Sequence, residues 1–116
     1  MIPKESEADF QAKIIKLARL CGWKVAHFRP AQTSKGWRTP VAADGKGFPD
    51  LVMVKPPYIF FCEVKSATGK LTLEQKDWAN LLHEVMVHPQ QRVYQRIWRP
   101  GDEDEIETFL TERGKE

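Results

Sequence analysis

The chain has 116 residues, 41% hydrophobic and 29% charged, with 18 Lys and Arg against 16 Asp and Glu for a formal net charge of +2. That length supports one core and leaves no room for a second independent one, so residues 1–116 are expected to form a single domain whose site shares that core. The fractions are ordinary for a soluble globular protein, and no apolar run suits a membrane span or a signal peptide, so a cytoplasmic protein without membrane contact is expected. Cys21 and Cys62 stand apart inside apolar runs, without the spacing that holds zinc or forms a redox pair, and are expected to be reduced and buried.

Ser6 can cap a first helix in which Phe10, Ile14, Leu17, Ala18 and Cys21 recur at helical spacing up to Gly22. Glu7 lies one turn before Phe10 on the same inward stripe, an odd place for a carboxylate. Trp23 to Phe28 reads as a strand, and Arg29 to Phe48 as a long connection without periodic pattern, of a length that is usually functional or mobile. Leu51 to Val54 and Tyr58 to Val64 are two strand-like runs on either side of a reversal at Lys55-Pro56-Pro57. After a polar loop from Ser66 to Lys70, Thr72 and Gln75 have capping-box spacing and open a second helix with Trp78, Ala79, Leu82 and Val85 on one face. That helix ends between His83 and Pro89. Arg92 to Trp98 reads as a strand stopped by Pro100-Gly101, and Asp102 with Glu105 can cap a short third helix through Ile106, Phe109 and Leu110. The order is helix, three strands, helix, strand, helix, with no internal repeat or linker.

Charge is unevenly distributed. No Asp or Glu occurs between Phe10 and Ala43, where Lys13, Lys16, Arg19, Lys24, Arg29, Lys35 and Arg38 all fall, while the tail from Asp102 onward is acidic. A polyanion would approach the first region and avoid the second, although for charge distribution alone a solvated helix face plus a basic loop is the favoured account.

The hairpin carries the chemistry. With its reversal centred between Pro56 and Pro57, Asp50 falls opposite Glu63, and directly opposed residues have Cβ atoms roughly 4.5–5.5 Å apart on one face. Two facing carboxylates repel unless a positive group lies between them, and a divalent cation with oxygen ligands answers that need. Lys65, two residues after Glu63, projects to the same face. Such a set suits phosphodiester hydrolysis, which needs a cation to polarise a non-bridging oxygen, a more acidic water, and positive charge for the developing negative charge. Glu7 can add a carboxylate or simply favour the helix dipole. Gln75 can orient water or substrate or simply complete the capping box. Arg29, Thr33, Lys35 and Arg38, beside Gln32, Ser34 and Trp37, form a mixture suited to phosphate contact and base stacking, and Lys70 and Lys76 can contribute from the other side. His27 reads as a satisfied strand residue, since no second histidine has metal spacing with it.

Gly47-Phe48-Pro49-Asp50 followed by Phe61-Cys62-Glu63-Val64-Lys65 resembles the PD-(D/E)XK signature of metal-dependent nucleases. The opening helix from Glu7 to Gln11, the strand from Gly22-Trp23 to His27-Phe28-Arg29, the start at Leu71-Thr72-Glu74-Gln75 and the late Trp98-Arg99-Pro100 extend the resemblance over nearly the whole chain, to the virus-type replication-repair nuclease (VRR-NUC) domain. It implies a restriction-endonuclease-like αβββαβ core of α/β, α+β-like class, a mixed sheet flanked by helices with a short C-terminal helix. It also implies Mg²⁺ or Mn²⁺ held by Asp50 and Glu63, with Glu7 and Val64 as further metal positions, a catalytic Lys65, and Gln75 in the following helix. A homodimer cutting branched DNA such as four-way (Holliday) junctions, in a bacterial or phage-infected cell, would follow. Nicking or restriction-type cleavage and a non-catalytic nucleic-acid-binding module are the alternatives. The stretch from His83 to Arg96 is longer and more polar than the family's link, and Tyr94, Trp98 and Phe109 are candidates for a dimer surface or for the core.

Overall fold

In a computed structural model, the structure describes residues 5–28, 31–33, 36–38 and 42–112, the two short central stretches by their backbone alone. Among these the elements are α1 (Glu7–Leu20), β1 (Lys24–His27), β2 (Ala31–Thr33), β3 (Gly36–Arg38), β4 (Leu51–Lys55), β5 (Tyr58–Val64), α2 (Leu73–Met86), β6 (Val93–Trp98) and α3 (Glu103–Glu112). The fold is α+β, a four-stranded mixed sheet in the order β1-β4-β5-β6 flanked by the three helices. β1, β4 and β5 are antiparallel neighbours, and β6 runs parallel to β5. A parallel pair needs a long crossover, and α2 supplies it. Apart from β2 and β3 this is the expected αβββαβ order followed by a C-terminal helix.

Alternation along the central hairpin sorts its side chains between two faces. Leu51 and Met53 of β4 and Tyr58, Phe60, Cys62 and Val64 of β5 are all buried on one face. There they meet Phe10, Ile14 and Ala18 of α1 and Ile106, Phe109 and Leu110 of α3. Ser6 caps α1 as expected, its Oγ accepting from the Asp9 N–H at 3.0 Å. Gly22 ends that helix at φ +92, a left-handed conformation that glycine adopts without a Cβ penalty. The Trp23 indole donates to the Leu110 carbonyl at 3.0 Å, so the strand that follows α1 is tied to α3 through the core. α2 lies against β6 on the opposite face.

Several expectations are corrected. The connection from Arg29 to Phe48 is not devoid of strands: β2 and β3 pair within it as a separate antiparallel hairpin. Strands of three residues span too little alternation to register as a period of two. Val85, expected on the inward face of α2, is 42% exposed, and of that face only Ala79 is buried, because α2 covers one edge of the sheet rather than its centre. Asp102 and Glu105 do not form a reciprocal cap. The Asp102 carboxylate accepts from the Arg99 N–H at 2.8 Å, and Glu105 accepts from Arg96 Nε at 3.1 Å and Trp98 Nε1 at 2.9 Å. Trp98 and Phe109 are buried core residues, which removes them from any dimer surface, and Tyr94 packs against that core while partly exposed. Cys62 is fully buried and Cys21 only half-buried, and both are free thiols.

Candidate active site

The register of the hairpin is the one its proline reversal implies: Leu51 pairs with Cys62, Met53 with Phe60 and Lys55 with Tyr58. One step beyond, Asp50 and Glu63 come together at the end of the sheet. A side-chain hydrogen bond joins the two carboxyl groups, favouring the charged form of Asp50 and the neutral form of Glu63. Asp50 Oδ2 also accepts from the Val64 N–H at 3.5 Å. The Asp50 carbonyl accepts from the Phe28 N–H at 3.0 Å, which fixes this residue to the end of β1. Glu63 is only 5% exposed, on the face opposite the apolar core.

Burial and the neighbouring Asp50 charge push the Glu63 carboxyl up to about 8, with the hydrogen bond to Asp50 and the Glu7 charge acting in the same direction and Lys65 opposing. Burial raises Asp50 as well, against its hydrogen bonds with Glu63 and Val64 and the charges of Lys65 and His27. The physical content is simple: two carboxylates share a poorly solvated place with less positive charge than they need, so a proton stays between them.

Gln75 joins this pair from α2. Its Nε2 donates to Glu63 Oε1 at 3.0 Å, while its Oε1 accepts from the Thr72 N–H at 2.9 Å and its own N–H donates to Thr72 Oγ1 at 3.1 Å. One side chain therefore completes the capping box through its amide oxygen and reaches Glu63 through its amide nitrogen.

The segment before Asp50 is clamped to the same helix. Gly47 has φ +85, and a Cβ there would sit 2.5 Å from the main-chain carbon of Glu74, so only glycine permits this approach. Phe48 packs edge-on against Phe28, Phe61 and Trp78 at centroid distances of 5.7, 6.0 and 5.0 Å. The Trp78 indole donates to the Asp44 carbonyl at 3.0 Å. Asp50 and Gln75 thus approach Glu63 from two segments that are locked to each other.

On the far side of Glu63, the Lys65 N–H donates to the Trp98 carbonyl at 3.0 Å, continuing the β5–β6 ladder. Arg99 Nη1 donates to the carbonyls of Ser66 at 2.7 Å and Gly69 at 2.6 Å. This arginine holds the loop between Lys65 and α2. Its role had no signal in the sequence, because its partners are main-chain carbonyls about thirty residues away in the chain. His27 is the strand residue expected: β1 pairs it with Leu51, next to Asp50, where it favours the Asp50 carboxylate.

Neither protein-family models, curated proteins nor solved structures match this chain.

The donor set fits a hard divalent cation. Two carboxylates with an excess of negative charge offer the oxygen ligands that Mg²⁺ or Mn²⁺ takes, and Mg²⁺ usually needs only one or two of them. Among the described residues no three His, Cys, Asp or Glu side chains form a metal-holding group. Glu7, expected at the head of the inward stripe, is instead exposed at the first position of α1, and the stripe begins at Phe10. Its charge reaches Glu63, but its carboxylate is not part of the pair. The Val64 side chain is buried in the core, which leaves only its main chain on the site.

Of the residues expected to contact nucleic acid, Lys70 is exposed in the loop before α2 and Lys76 on the first turns of α2. Thr33 ends β2 and Arg38 ends β3, with their side chains outside the description, as are those of Gln32 and Trp37. Arg29, Ser34 and Lys35 lie outside the described residues. Among the described residues no helix is long and apolar enough to cross a membrane.

Proposed function

We propose that this chain is a divalent-metal-dependent DNA endonuclease of the VRR-NUC type, hydrolysing phosphodiester bonds in branched DNA as a homodimer in the cytoplasm of a bacterial or phage-infected cell. The observation that carries the chemistry is the pair of half-buried Asp50 and buried Glu63 brought together on the polar face of the hairpin, with Gln75 bonded to Glu63 and Lys65 beside it. A pair that retains a proton to near pH 8 is strongly favourable for a cation that can take that proton's place. The preference for junctions and the dimer rest on the motif resemblance.

Asp50 and Glu63 would hold Mg²⁺ or Mn²⁺, which supplies Lewis-acid polarisation of a phosphate oxygen and acidifies the attacking water. Gln75 Nε2 fixes Glu63 Oε1 and so orients the carboxylate for ligation. Lys65 sits two residues after Glu63 on the same strand face, where its ammonium offsets charge developing on the phosphate or orients the water. The clamp of Gly47 and Phe48 on α2 limits relative movement of Asp50 and Gln75, the kind of preorganisation on which positioning depends.

A panel of duplex, nicked, flap and four-way-junction DNAs, each with Mg²⁺, Mn²⁺ or chelator, tests the proposal. Metal-dependent cutting that prefers the junction is expected from the parent chain, and equal cutting by Asp50→Ala or Lys65→Ala protein would refute it. Preferential cutting of plain or nicked duplex would point to a nicking or restriction-type enzyme. A non-catalytic DNA-binding module is the second reading. DNA binding without divalent-metal binding in a calorimeter would select it.

A further inference from the structure

The active site lies at one end of the sheet, and Lys16, Arg19 and Lys24 lie toward the other end of α1 and β1. Lys16, Arg19 and Lys24 are exposed. Lys16 and Arg19 line a groove of about 570 Å³ on the outer side of α1, together with Ala12, Ile15 and Leu20. Arg19 and Lys24 line an adjoining groove of about 540 Å³ between α1 and β1, which Ile15 also borders. β1 is an edge strand, so this second groove opens along the margin of the sheet.

Among the described residues, the ion pairs are Lys13 with Glu5, Lys46 with Glu74 and Arg96 with Glu105. None involves Lys16, Arg19 or Lys24. Lys16 and Arg19 are three residues apart on a helix and are therefore neighbours of like charge, which disfavours the helix slightly. Arg19 in the last turn gains from the helix dipole, but that accounts for one cation and not for three. From Phe10 to Ala43 no acidic residue offsets them. Nearby, Lys55 Nζ donates to the Cys21 carbonyl at the end of α1, adding positive charge to this end of the helix.

α1 connects the two ends. The charge of Glu7 at its start is felt by Glu63, and Arg19 follows twelve residues later, roughly 18 Å along the helix, or about five base pairs of duplex. We infer that the two adjoining grooves along α1 form a second DNA contact, in which Lys16 and Arg19 on the outer side of α1 and Lys24 at the margin of β1 seat the phosphate backbone of a duplex arm leaving the active site along α1. The inference rests on the nuclease reading for the direction of that arm. Charge complementarity selects the occupant: cations with no ion pair among the described residues, bordering open grooves away from the acidic face of α3, suit a polyanion.

The test uses the full chain and a fluorescent 24-base-pair duplex in chelator, with binding followed by anisotropy over a range of salt. Replacement of Lys16, Arg19 and Lys24 together by Gln is expected to weaken binding at least about tenfold and to lower the log–log salt slope by about 2–3, at about 0.9 per lost phosphate contact. Exposed polar substitutions of this kind seldom change stability by more than about 0.5 kcal/mol, and a urea titration verifies that the variant is folded. A Lys16→Arg, Lys24→Arg protein keeps the charges and is expected to keep the slope. With metal present, the Gln variant is expected to raise KM and leave kcat unchanged. Unchanged affinity and slope in the Gln variant, or failure of the parent to bind the duplex, overturns the inference. A parent that cuts DNA while the slope is unmoved refutes the groove alone. A parent whose slope depends on the groove but that cuts no substrate with any metal refutes the nuclease reading alone.

Discussion

The two faces of the β4–β5 hairpin obey opposite rules. On one, Leu51, Met53, Phe60, Cys62 and Val64 are fully buried against apolar neighbours, and each large side chain contributes roughly 1.5–3 kcal/mol by leaving water. On the other, Glu63 is almost as deeply buried but sits beside Asp50, and the pair is retained only by holding a proton. Adjacent residues on one strand thus serve the fold and work against it. The difference teaches that burial alone does not identify the site; burial of a charge beside a like charge does.

The comparison can be broken in several ways, beginning with pH. Glu63 titrates at about 8 in the folded chain against an ordinary 4.5, so the folded state binds its proton more tightly than the unfolded state. Its favourable contribution is fully present below about 4.5 and is lost as pH rises through about 8, by at most about 1.4 kcal/mol for each unit of the shift. Burial shifts Asp50 in the same direction. Metal-free protein should therefore show its urea midpoint falling from pH 5 to pH 9. Glu63→Gln should flatten that fall, and a parallel decline in both proteins would show that the pair is not its source.

Phe60→Ala attacks the apolar face, where Phe60 packs against Trp23, Trp98 and Phe109. A loss of about 3–5 kcal/mol is expected, a large part of the stability of a small domain, and is read by denaturant unfolding. Lys65→Ala attacks the polar face, where cleavage should fall about 10²–10³-fold with little change in the unfolding midpoint. Similar stability losses in these two variants would erase the distinction between the faces. The smallest effect is expected at the clamp: Gly47→Ala places a Cβ against α2 at positive φ and should cost about 1–3 kcal/mol, with reduced cleavage as Asp50 shifts relative to Gln75.

Much of this was legible in the sequence because it depends on local rules. The proline reversal sets the hairpin register, alternation of side chains then places Asp50, Glu63 and Lys65, and the Thr72 and Gln75 spacing opens α2. What was not legible depends on segments meeting across the fold. The approach of Gly47 to Glu74, the hold of Arg99 on the Ser66 and Gly69 carbonyls, and the position of His27 beside Asp50 involve main-chain partners or strand neighbours that no spacing reveals. Glu7 was misplaced for a related reason: helical periodicity continued the inward stripe past the point where α1 still has a neighbour to pack against.

The account depends most on a cation taking the place of the proton between Asp50 and Glu63. Calorimetric titration of Mn²⁺ or Mg²⁺ at pH 7, in buffers of different ionisation enthalpy, measures both metal affinity and protons released. The expected result is one site, with about one proton released per metal bound, lost in Asp50→Asn protein. Failure of the parent to bind metal, or binding that releases no proton and persists in Asp50→Asn protein, would contradict it.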